Sequence, residues 1–184
     1  MEYRYYKEYT LNNGKTLIVR TLVPDDAKRM IDLITTADTQ TRFLSREPGE
    51  FGYTEEAERE LIAQRDTDEN VFWIVGEIDG KLVANCEARR LSGRARFRHR
   101  ASMGIVVLRD YWRLGIGKIL IQELIRWCGG RGFEQLELDV VADNAAAIAL
   151  YQSVGFEICG TKKNALKYPD GTYCDEHYMI KSLI

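Results

Sequence analysis

The sequence predicts a mixed α/β fold, in which helices pack on the faces of a central mixed sheet. Two observations lead to this prediction: strand-like and helix-like hydrophobic patterns alternate along the chain, and tight-turn dipeptides separate strand segments. Leu136, Leu138 and Val140 alternate with acidic residues, which is the period-two pattern of a strand. Asp79-Gly80 predicts a hairpin turn, because both central residues of that turn need a positive φ angle.

The patterns predict elements in the order β, α, α, β, β, β, α, β, α, β, β, with an irregular segment at 37–53. The expected strands are 16–22, 71–78, 81–91, 98–108, 136–140 and two more in a final hairpin that turns at Asp170-Gly171. The expected helices begin near Pro24, near the N-cap residue Thr54, at Lys118 and at the capping residue Asp143. The first helix has a predicted buried face of Ala27, Met30, Ile31 and Ile34.

Length and composition narrow the class of protein. The 184 residues suit a single domain, 1–184, and the net charge of -2 argues, together with the lack of a recognition motif, against a nucleic-acid partner. No apolar stretch is long enough to span a bilayer, so no membrane partner is expected. The four cysteines form no CxxC pair and the two histidines are not at ligand spacing. We therefore expect no metal and a reducing, cytoplasmic location.

The stretch Gly104–Lys118 carries the clearest functional signal. An apolar strand ends at Leu108, a loop contains Gly115-Ile116-Gly117, and a helix follows at once. Unpaired N–H groups and the positive end of a helix dipole face outward there, and glycines let the backbone approach a ligand, as a pyrophosphate cradle requires. Such a loop also occurs in ordinary strand–helix turns, and the chain has neither a GxxxxGK[ST] nor a GxGxxG motif.

A second informative stretch, Val141–Phe156, begins as a strand ends and continues as a helix. Asn144 lies near the start of this helix and Tyr151 follows seven residues later, so both project from the same side. Alone, Tyr151 has the pattern of a core aromatic residue.

Taken together, the two stretches resemble the GNAT acetyltransferases over most of the chain. The resemblance lies in the glycine loop with its helix, and in the downstream pattern Asn144 … Ala147-Ile148 … Leu150-Tyr151 … Gly155-Phe156. The C-terminal DGTYCDEHYM further resembles the branch that contains ribosomal-protein, polyamine and small-amine acetyltransferases. The implied fold is a mostly antiparallel sheet of about seven strands, splayed around the cofactor and flanked by about four helices.

The resemblance implies an acetyl-CoA-dependent N-acetyltransferase. A neutral primary amine, from a small amine, an amino acid or a protein N-terminus, would attack the thioester directly in a ternary complex. The runner-up is a non-catalytic acyl-CoA-binding sensor or scaffold module. A homodimer is compatible with either activity.

The resemblance also implies site residues. The cofactor-binding residues would be Val106, Val107, Leu108, Arg113, Leu114, Gly115, Ile116, Gly117, Lys118, Asn144, Ala147 and Tyr151. Tyr151 would also act as general acid toward the CoA thiolate. Glu87 is the candidate base or water-organising residue, although a solvent-facing strand residue has the same pattern, and a water chain could replace a single base.

Two features stand apart from the resemblance. Trp112 occupies the position at which the family usually has Gln or Arg, which removes one polar side chain from the pyrophosphate site and leaves Arg113 beside it. Arg94, Arg96, Arg98 and Arg100 alternate and would share one face of a strand. That face is either solvated or a contact for an anionic partner, such as the CoA 3'-phosphate, an acidic protein or RNA.

Overall fold

The structure is a computed structural model that describes residues 4–184, in which four α-helices and eight strands form. The strands are β1 (Tyr6–Thr10), β2 (Thr16–Thr21), β3 (Val71–Ile78), β4 (Lys81–Arg90), β5 (Arg100–Val107), β6 (Gln135–Val141), β7 (Glu157–Lys167) and β8 (Tyr173–Ser182). The helices are α1 (Ala27–Gln40), α2 (Glu55–Thr67), α3 (Ile116–Gly130) and α4 (Ala145–Ser153). Short 3₁₀ turns lie at Pro24–Asp26, Ala95–Phe97 and Arg109–Tyr111.

The strands form one sheet in the order β1-β2-β3-β4-β5-β6-β8-β7. The pairs β1–β2, β2–β3, β3–β4, β6–β8 and β7–β8 are antiparallel, and β5 pairs with β6 in parallel over Arg100–Ser102. The predicted mixed, mostly antiparallel sheet with four helices is therefore confirmed. The eighth strand is β1, which the sequence patterns miss because four of its five residues are exposed and show no alternation.

Internal contacts divide the described chain into two compact units. The first unit contains residues up to Arg89 together with Gly104–Leu124, and the second contains Arg90–Met103 together with Ile125–Ile184. The expectation of a single domain over the whole chain stays a prediction. Within residues 4–184, no helix combines the length and the apolar character needed to cross a membrane.

In the first unit, α1 and α2 bury apolar side chains against β3. The residues that α1 contributes to the core are Ala27, Met30, Leu33, Ile34 and Ala37, so Leu33 takes the place predicted for Ile31. Ile62 of α2 joins the same cluster, and Val71, Trp73 and Val75 of β3 form its floor. Thr54 caps α2 as predicted, since its hydroxyl accepts from the Ala57 N–H.

Several predicted boundaries change because local hydrogen bonds decide where a helix begins. Helix α1 continues to Gln40, so the start of the segment 37–53 is helical rather than irregular. Helix α3 already begins at Ile116. The N-cap of α4 is Asn144 rather than Asp143, because the Asn144 Oδ1 atom accepts from the Ala147 N–H at 3.2 Å.

The predicted arginine face is wrong. The chain from Arg94 to Arg98 forms a loop around the 3₁₀ turn Ala95–Phe97, and only Arg100 lies in β5. The Arg100 guanidinium pairs with the Glu137 carboxylate, while Arg94, Arg96 and Arg98 are exposed. Alternation alone does not specify a strand here, because the intervening Ala95 is exposed and Phe97 is only partly buried.

A buried ion pair ties the start of α1 to the sheet of the first unit. Arg20 on β2 is 2% exposed and donates to both Asp26 oxygens, at 2.6 and 2.9 Å, and to Glu77 on β3 at 2.6 Å. Burial alone would raise the pKa of Asp26, but hydrogen bonds from Arg20 and from the Val23 N–H outweigh it and lower that pKa. The Asp26 carboxylate is therefore held in its charged form at neutral pH.

We predict that Arg20→Met lowers the free energy of unfolding by about 3–5 kcal/mol, because it removes the buried cation that Asp26 and Glu77 share and leaves only the more exposed Arg29 beside them. Urea denaturation at neutral pH measures this change. The matched control is Arg59→Met, because Arg59 forms half-exposed pairs with Asp25 and Glu55. This control should lower the free energy of unfolding much less, because solvent screens exposed ion pairs. Equal losses in the two variants would contradict the prediction.

Candidate active site

One face of the β3–β4 hairpin carries polar side chains beneath α2, entirely within the first unit. Trp73 lies opposite Glu87, and Val75 lies opposite Asn85, so these side chains share a face of the sheet. The Trp73 indole N–H donates to the Asn85 side-chain oxygen. Ile62 of α2 packs in the same cluster as Trp73, which places the helix above this face.

Arg65 of α2 connects the helix to Glu87. Its guanidinium donates from Nη1 to the Glu87 Oε2 atom, and its Cζ atom lies 4.7 Å from the centre of the Trp73 ring. Arg89 approaches the other Glu87 oxygen at 3.9 Å. The Glu87 side chain is 15% exposed, so the solvent-facing alternative for this residue is wrong.

Burial raises the pKa of Glu87 above its ordinary value of 4.5, although the charges of Arg65 and Arg89 and the hydrogen bond from Arg65 act to lower it. A carboxylate with a raised pKa is a stronger base than a solvated one. Glu87 therefore has the electrostatic character of a candidate proton acceptor.

A second carboxyl group, Glu58, is buried on the same helix two turns before Arg65. It is 1% exposed, and its Oε2 atom has no hydrogen-bond partner in the described part of the chain. Burial raises its pKa, and the charge of Arg65 acts against that rise. A buried oxygen without a partner is uncommon in folded proteins, and it is typical of a site that a ligand or a water molecule completes.

The predicted glycine loop also lies in the first unit, between the end of β5 and the start of α3. Arg113 and Gly115 both adopt positive φ angles, 62° and 84°. The Gly115 carbonyl accepts from the Ile119 N–H, so the loop passes directly into the first turn of α3. The first N–H groups of this helix have no partner in the preceding turn, which fits them to bind an anion.

One side chain of the loop is buried in the core, and two charged side chains are exposed. Ile116 is buried at 1% exposure, whereas Arg113 and Lys118 are exposed and Leu114 is half-buried. Gly117 occupies the second position of the helix. The loop therefore offers backbone N–H groups and two nearby cations, which fit the pyrophosphate of a CoA-type ligand.

Trp112 stands where the family usually has a polar residue, and it forms a hydrogen bond within the protein. Its indole N–H donates to the Val107 carbonyl oxygen at 2.6 Å, and the Arg109 guanidinium lies over its ring at 5.8 Å. The hydrogen bond to Val107 joins the loop to the end of β5. Trp112 thus positions the loop, and the ring stays 46% exposed beside it.

The three residues at the end of β5 that were predicted to bind the pantetheine arm, Val106, Val107 and the following Leu108, differ in which backbone groups remain available. Leu108 donates its N–H to the Val83 carbonyl and accepts from the Tyr111 N–H, both at 2.9 Å, so its backbone is engaged on both sides. The Val107 carbonyl already accepts from Trp112. Val106 is half-buried and packs against the α1–α2 core.

The remaining predicted residues, Asn144, Ala147 and Tyr151, come together on α4 in the second unit. The side-chain oxygen of Asn144 accepts from the Ala147 N–H and so caps α4. The side-chain amide nitrogen of Asn144 is the group that can donate to a ligand. Tyr151 is 8% exposed, and its ring centre lies 5.9 Å from that of Phe156. It is therefore a buried aromatic residue, and the hydroxyl role predicted for it stays a prediction.

The sequence analysis did not identify three residues near Glu87: Trp73 on β3, and Glu58 and Arg65 on α2. The apolar pattern of α2 is weak, so its charged positions look like a solvated face. A signal did exist, because Glu58, Ile62 and Arg65 have the i, i+4, i+7 spacing of one helix face.

Comparison with known proteins identifies the family. Residues 37–156 match the acetyltransferase (GNAT) family, and the chain belongs to it. The resemblance drawn from the two motif stretches is thereby confirmed.

Two curated relatives and one solved structure illustrate the similarity. The chain is 37% identical over 110 residues to the L-amino acid N-acetyltransferase AaaT of Escherichia coli, and 45% identical over 67 residues to the ribosomal protein bS18 alanine N-acetyltransferase of that bacterium. These matches cover 59% and 36% of this chain, and 66% and 45% of the relatives. A GNAT-family acetyltransferase from Streptococcus pneumoniae superposes with a TM-score of 0.86 at 27% identity, over 90% of this chain and 99% of its own.

We predict that the Glu87 carboxyl titrates with a midpoint above its ordinary value of 4.5, because burial outweighs the two arginines. Carboxyl ¹³C NMR shifts over a pH series measure the midpoint, and Glu87→Gln identifies the signal. Arg65→Gln should raise the midpoint further, since it removes a charge and a hydrogen bond that favour the ionised form. Arg59→Gln is the control and should leave it unchanged. A midpoint at or below 4.5 in the unmodified protein would refute the prediction.

Proposed function

We propose that this protein is an acetyl-CoA-dependent N-acetyltransferase that acylates a primary amine. One observation carries the proposal: the first unit combines an anion-binding loop at the start of α3 with a buried carboxylate, Glu87, of raised pKa. The loop suits the phosphates of the acetyl donor, and the carboxylate suits an amine that must lose a proton. Membership of the GNAT family supports both assignments.

Acetyl-CoA supplies a thioester whose carbonyl carbon the amine attacks. The backbone N–H groups at Gly115, Ile116 and Gly117 would hold the pyrophosphate, with Arg113 and Lys118 as nearby cations. Trp112 would contribute by fixing the loop on Val107 rather than by a side-chain contact with phosphate. The backbone of Val106 and Val107 would guide the pantetheine arm, and Leu108 would hold the strand end in place.

Glu87 would accept the proton of the acceptor ammonium, either directly or through water. An alkylammonium group has a pKa of about 10, so a base of raised pKa reduces the cost of forming the neutral amine. The amine nitrogen then forms a bond to the carbonyl carbon while the carbon–sulfur bond breaks. The departing thiolate takes a proton, and we assign that proton to the Tyr151 hydroxyl on the resemblance to the family's tyrosine. Asn144 and Ala147 would bind the cofactor from the same helix.

The names of the two curated relatives give different acceptors: an L-amino acid in one and an alanine of ribosomal protein bS18 in the other. The family therefore does not identify the acceptor of this chain. The cytoplasmic location and the expected absence of a metal stay predictions, as does a homodimer.

Acetyl-CoA at millimolar concentration should raise the melting temperature, because it binds the folded state preferentially. Gly117→Glu should abolish this shift by adding bulk and negative charge where the pyrophosphate would lie. Gly160→Glu makes the same change on β7, where an added Cβ meets no atom within 4 Å, and should keep the shift. Differential scanning fluorimetry measures all three proteins. The absence of a shift in the unmodified protein would refute the proposed function, and an unaltered shift in folded Gly117→Glu would refute this phosphate site.

Tyr151→Phe should lower kcat about 10–1000-fold with little change in acetyl-CoA affinity, because it removes a proton donor that acts in the transition state. We expect the lower half of that range, since a thiolate is a moderately good leaving group. Tyr178→Phe is the matched control. It removes a hydroxyl that bonds to Glu137 and Arg100, so it should lower stability and leave kcat unchanged. Steady-state thiol release and a cofactor Kd measure both variants. Normal turnover in Tyr151→Phe would remove this residue from the catalytic set.

A further inference from the structure

We infer that the acceptor is a free α-amino acid, whose carboxylate is bound by Arg65 and whose amino group is presented to Glu87. This inference rests on the proposed function and assigns the acceptor class of the same site. It comes from the charge balance of the β3–β4 face, from the unused donors of Arg65 and from a buried oxygen without a partner.

The charges around Glu87 disfavour acceptors that bring only positive charge. Glu87 lies between two guanidinium groups, with Arg65 bound to one oxygen and Arg89 at 3.9 Å from the other. A simple amine, a polyamine or a peptide N-terminus arrives as a cation and meets two arginines and one carboxylate. A free amino acid arrives as a zwitterion, so its carboxylate can face the guanidinium groups while its ammonium faces Glu87. It adds no net charge to this face, whereas a simple ammonium adds one positive charge.

The Arg65 guanidinium has unused hydrogen-bond donors and a restrained orientation, both of which suit the binding of a carboxylate. A guanidinium has five N–H donors in a planar fork, and in the described part of the chain the Arg65 side chain donates only to Glu87. The Trp73 ring lies beneath the plane at 4.7 Å from Cζ, which restrains its orientation. The free edge of such a fork matches the two oxygens of a carboxylate.

The spacing of the two groups selects an α-amino acid among zwitterions. The ammonium and carboxylate of an α-amino acid are attached to the same carbon atom. The Arg65 and Glu87 groups are in direct contact, so a ligand that bridges them must carry its opposite charges close together. An acceptor with distant charges could satisfy only one of the two groups.

Glu58 provides an independent sign that a polar ligand belongs beside Arg65. Its Oε2 atom is buried without a partner in the described residues, and the charge of Arg65 acts on this carboxyl group. A bound amino acid, or water held by it, would supply the missing hydrogen bond.

The test compares matched acceptors by thiol release from acetyl-CoA. Each of the common amino acids is assayed with its α-carboxamide and with the amine that lacks the carboxyl group. For the best amino acid, kcat/KM should exceed that of its amide by about 10–100-fold, the range expected for charge-assisted hydrogen bonds to a carboxylate. An amide or a decarboxylated amine that reacts as well as its amino acid would overturn the inference.

Variants of Arg65 test whether this side chain causes the preference for an amino acid over its amide. Arg65→Gln should reduce the ratio of amino acid to amide toward unity, mainly through KM for the amino acid. The accompanying change in Glu87 basicity affects both acceptors and cancels in the ratio. Arg65→Lys keeps the charge without the planar fork and should give an intermediate ratio. Arg59→Gln, an exposed arginine on the same helix, should leave the ratio unchanged. An unchanged ratio in folded Arg65→Gln or Arg65→Lys would overturn the assignment to Arg65.

The melting temperature with acetyl-CoA separates this inference from the proposed function. A cofactor shift together with turnover of amides or simple amines, but not of amino acids, overturns the acceptor assignment alone. A cofactor shift with no turnover of any acceptor also overturns it. The lack of both a shift and turnover overturns the proposed function.

Discussion

Guanidinium groups compensate the carboxylates of Asp26, Glu77 and Glu87 beside the sheet of the first unit. Arg20 pairs with Asp26 and Glu77, and Arg65 pairs with Glu87. The first arrangement joins β2 and the start of α1 to β3, 57 residues after Arg20, and the second joins α2 to β4, 22 residues after Arg65. An ion pair removed from water contributes little net stability, but the loss of one partner is costly. The pairs therefore constrain which helix can lie on which strand.

The same constraint links stability to chemistry at Glu87. A carboxylate that was fully compensated would be a weak base, and one without a cation would be too costly to bury. Burial raises the pKa of Glu87 while Arg65 and Arg89 limit the rise. Arg65, whose charge offsets part of the cost of burying Glu87, also has N–H donors that no described residue uses. In the proposed mechanism, substrate binding and base strength are therefore coupled through one side chain, Arg65.

The two parts of the proposed site in the first unit differ in what they require of the sequence. The loop from Arg113 to Lys118 would act through backbone N–H groups, and a positive φ angle such as that of Gly115 favours glycine. The β3–β4 face would act through particular side chains, Arg65, Trp73 and Glu87. The proposed choice of acceptor therefore depends on those side chains.

The mixed sheet, the order of most elements, the glycine loop and the family could be predicted from the sequence alone, because these depend on local periodicity and on backbone requirements. The place of Glu87 on the β3–β4 face depends on tertiary structure. Counting back from the tight turn pairs Glu77 with Leu82 and would place Cys86 opposite Trp73. A register shift at Gly76/Glu77 places Glu87 there instead, and a shift of one residue exchanges the two faces of a strand. The contact between Arg65 and Glu87 then depends on how α2 packs, which no local pattern specifies.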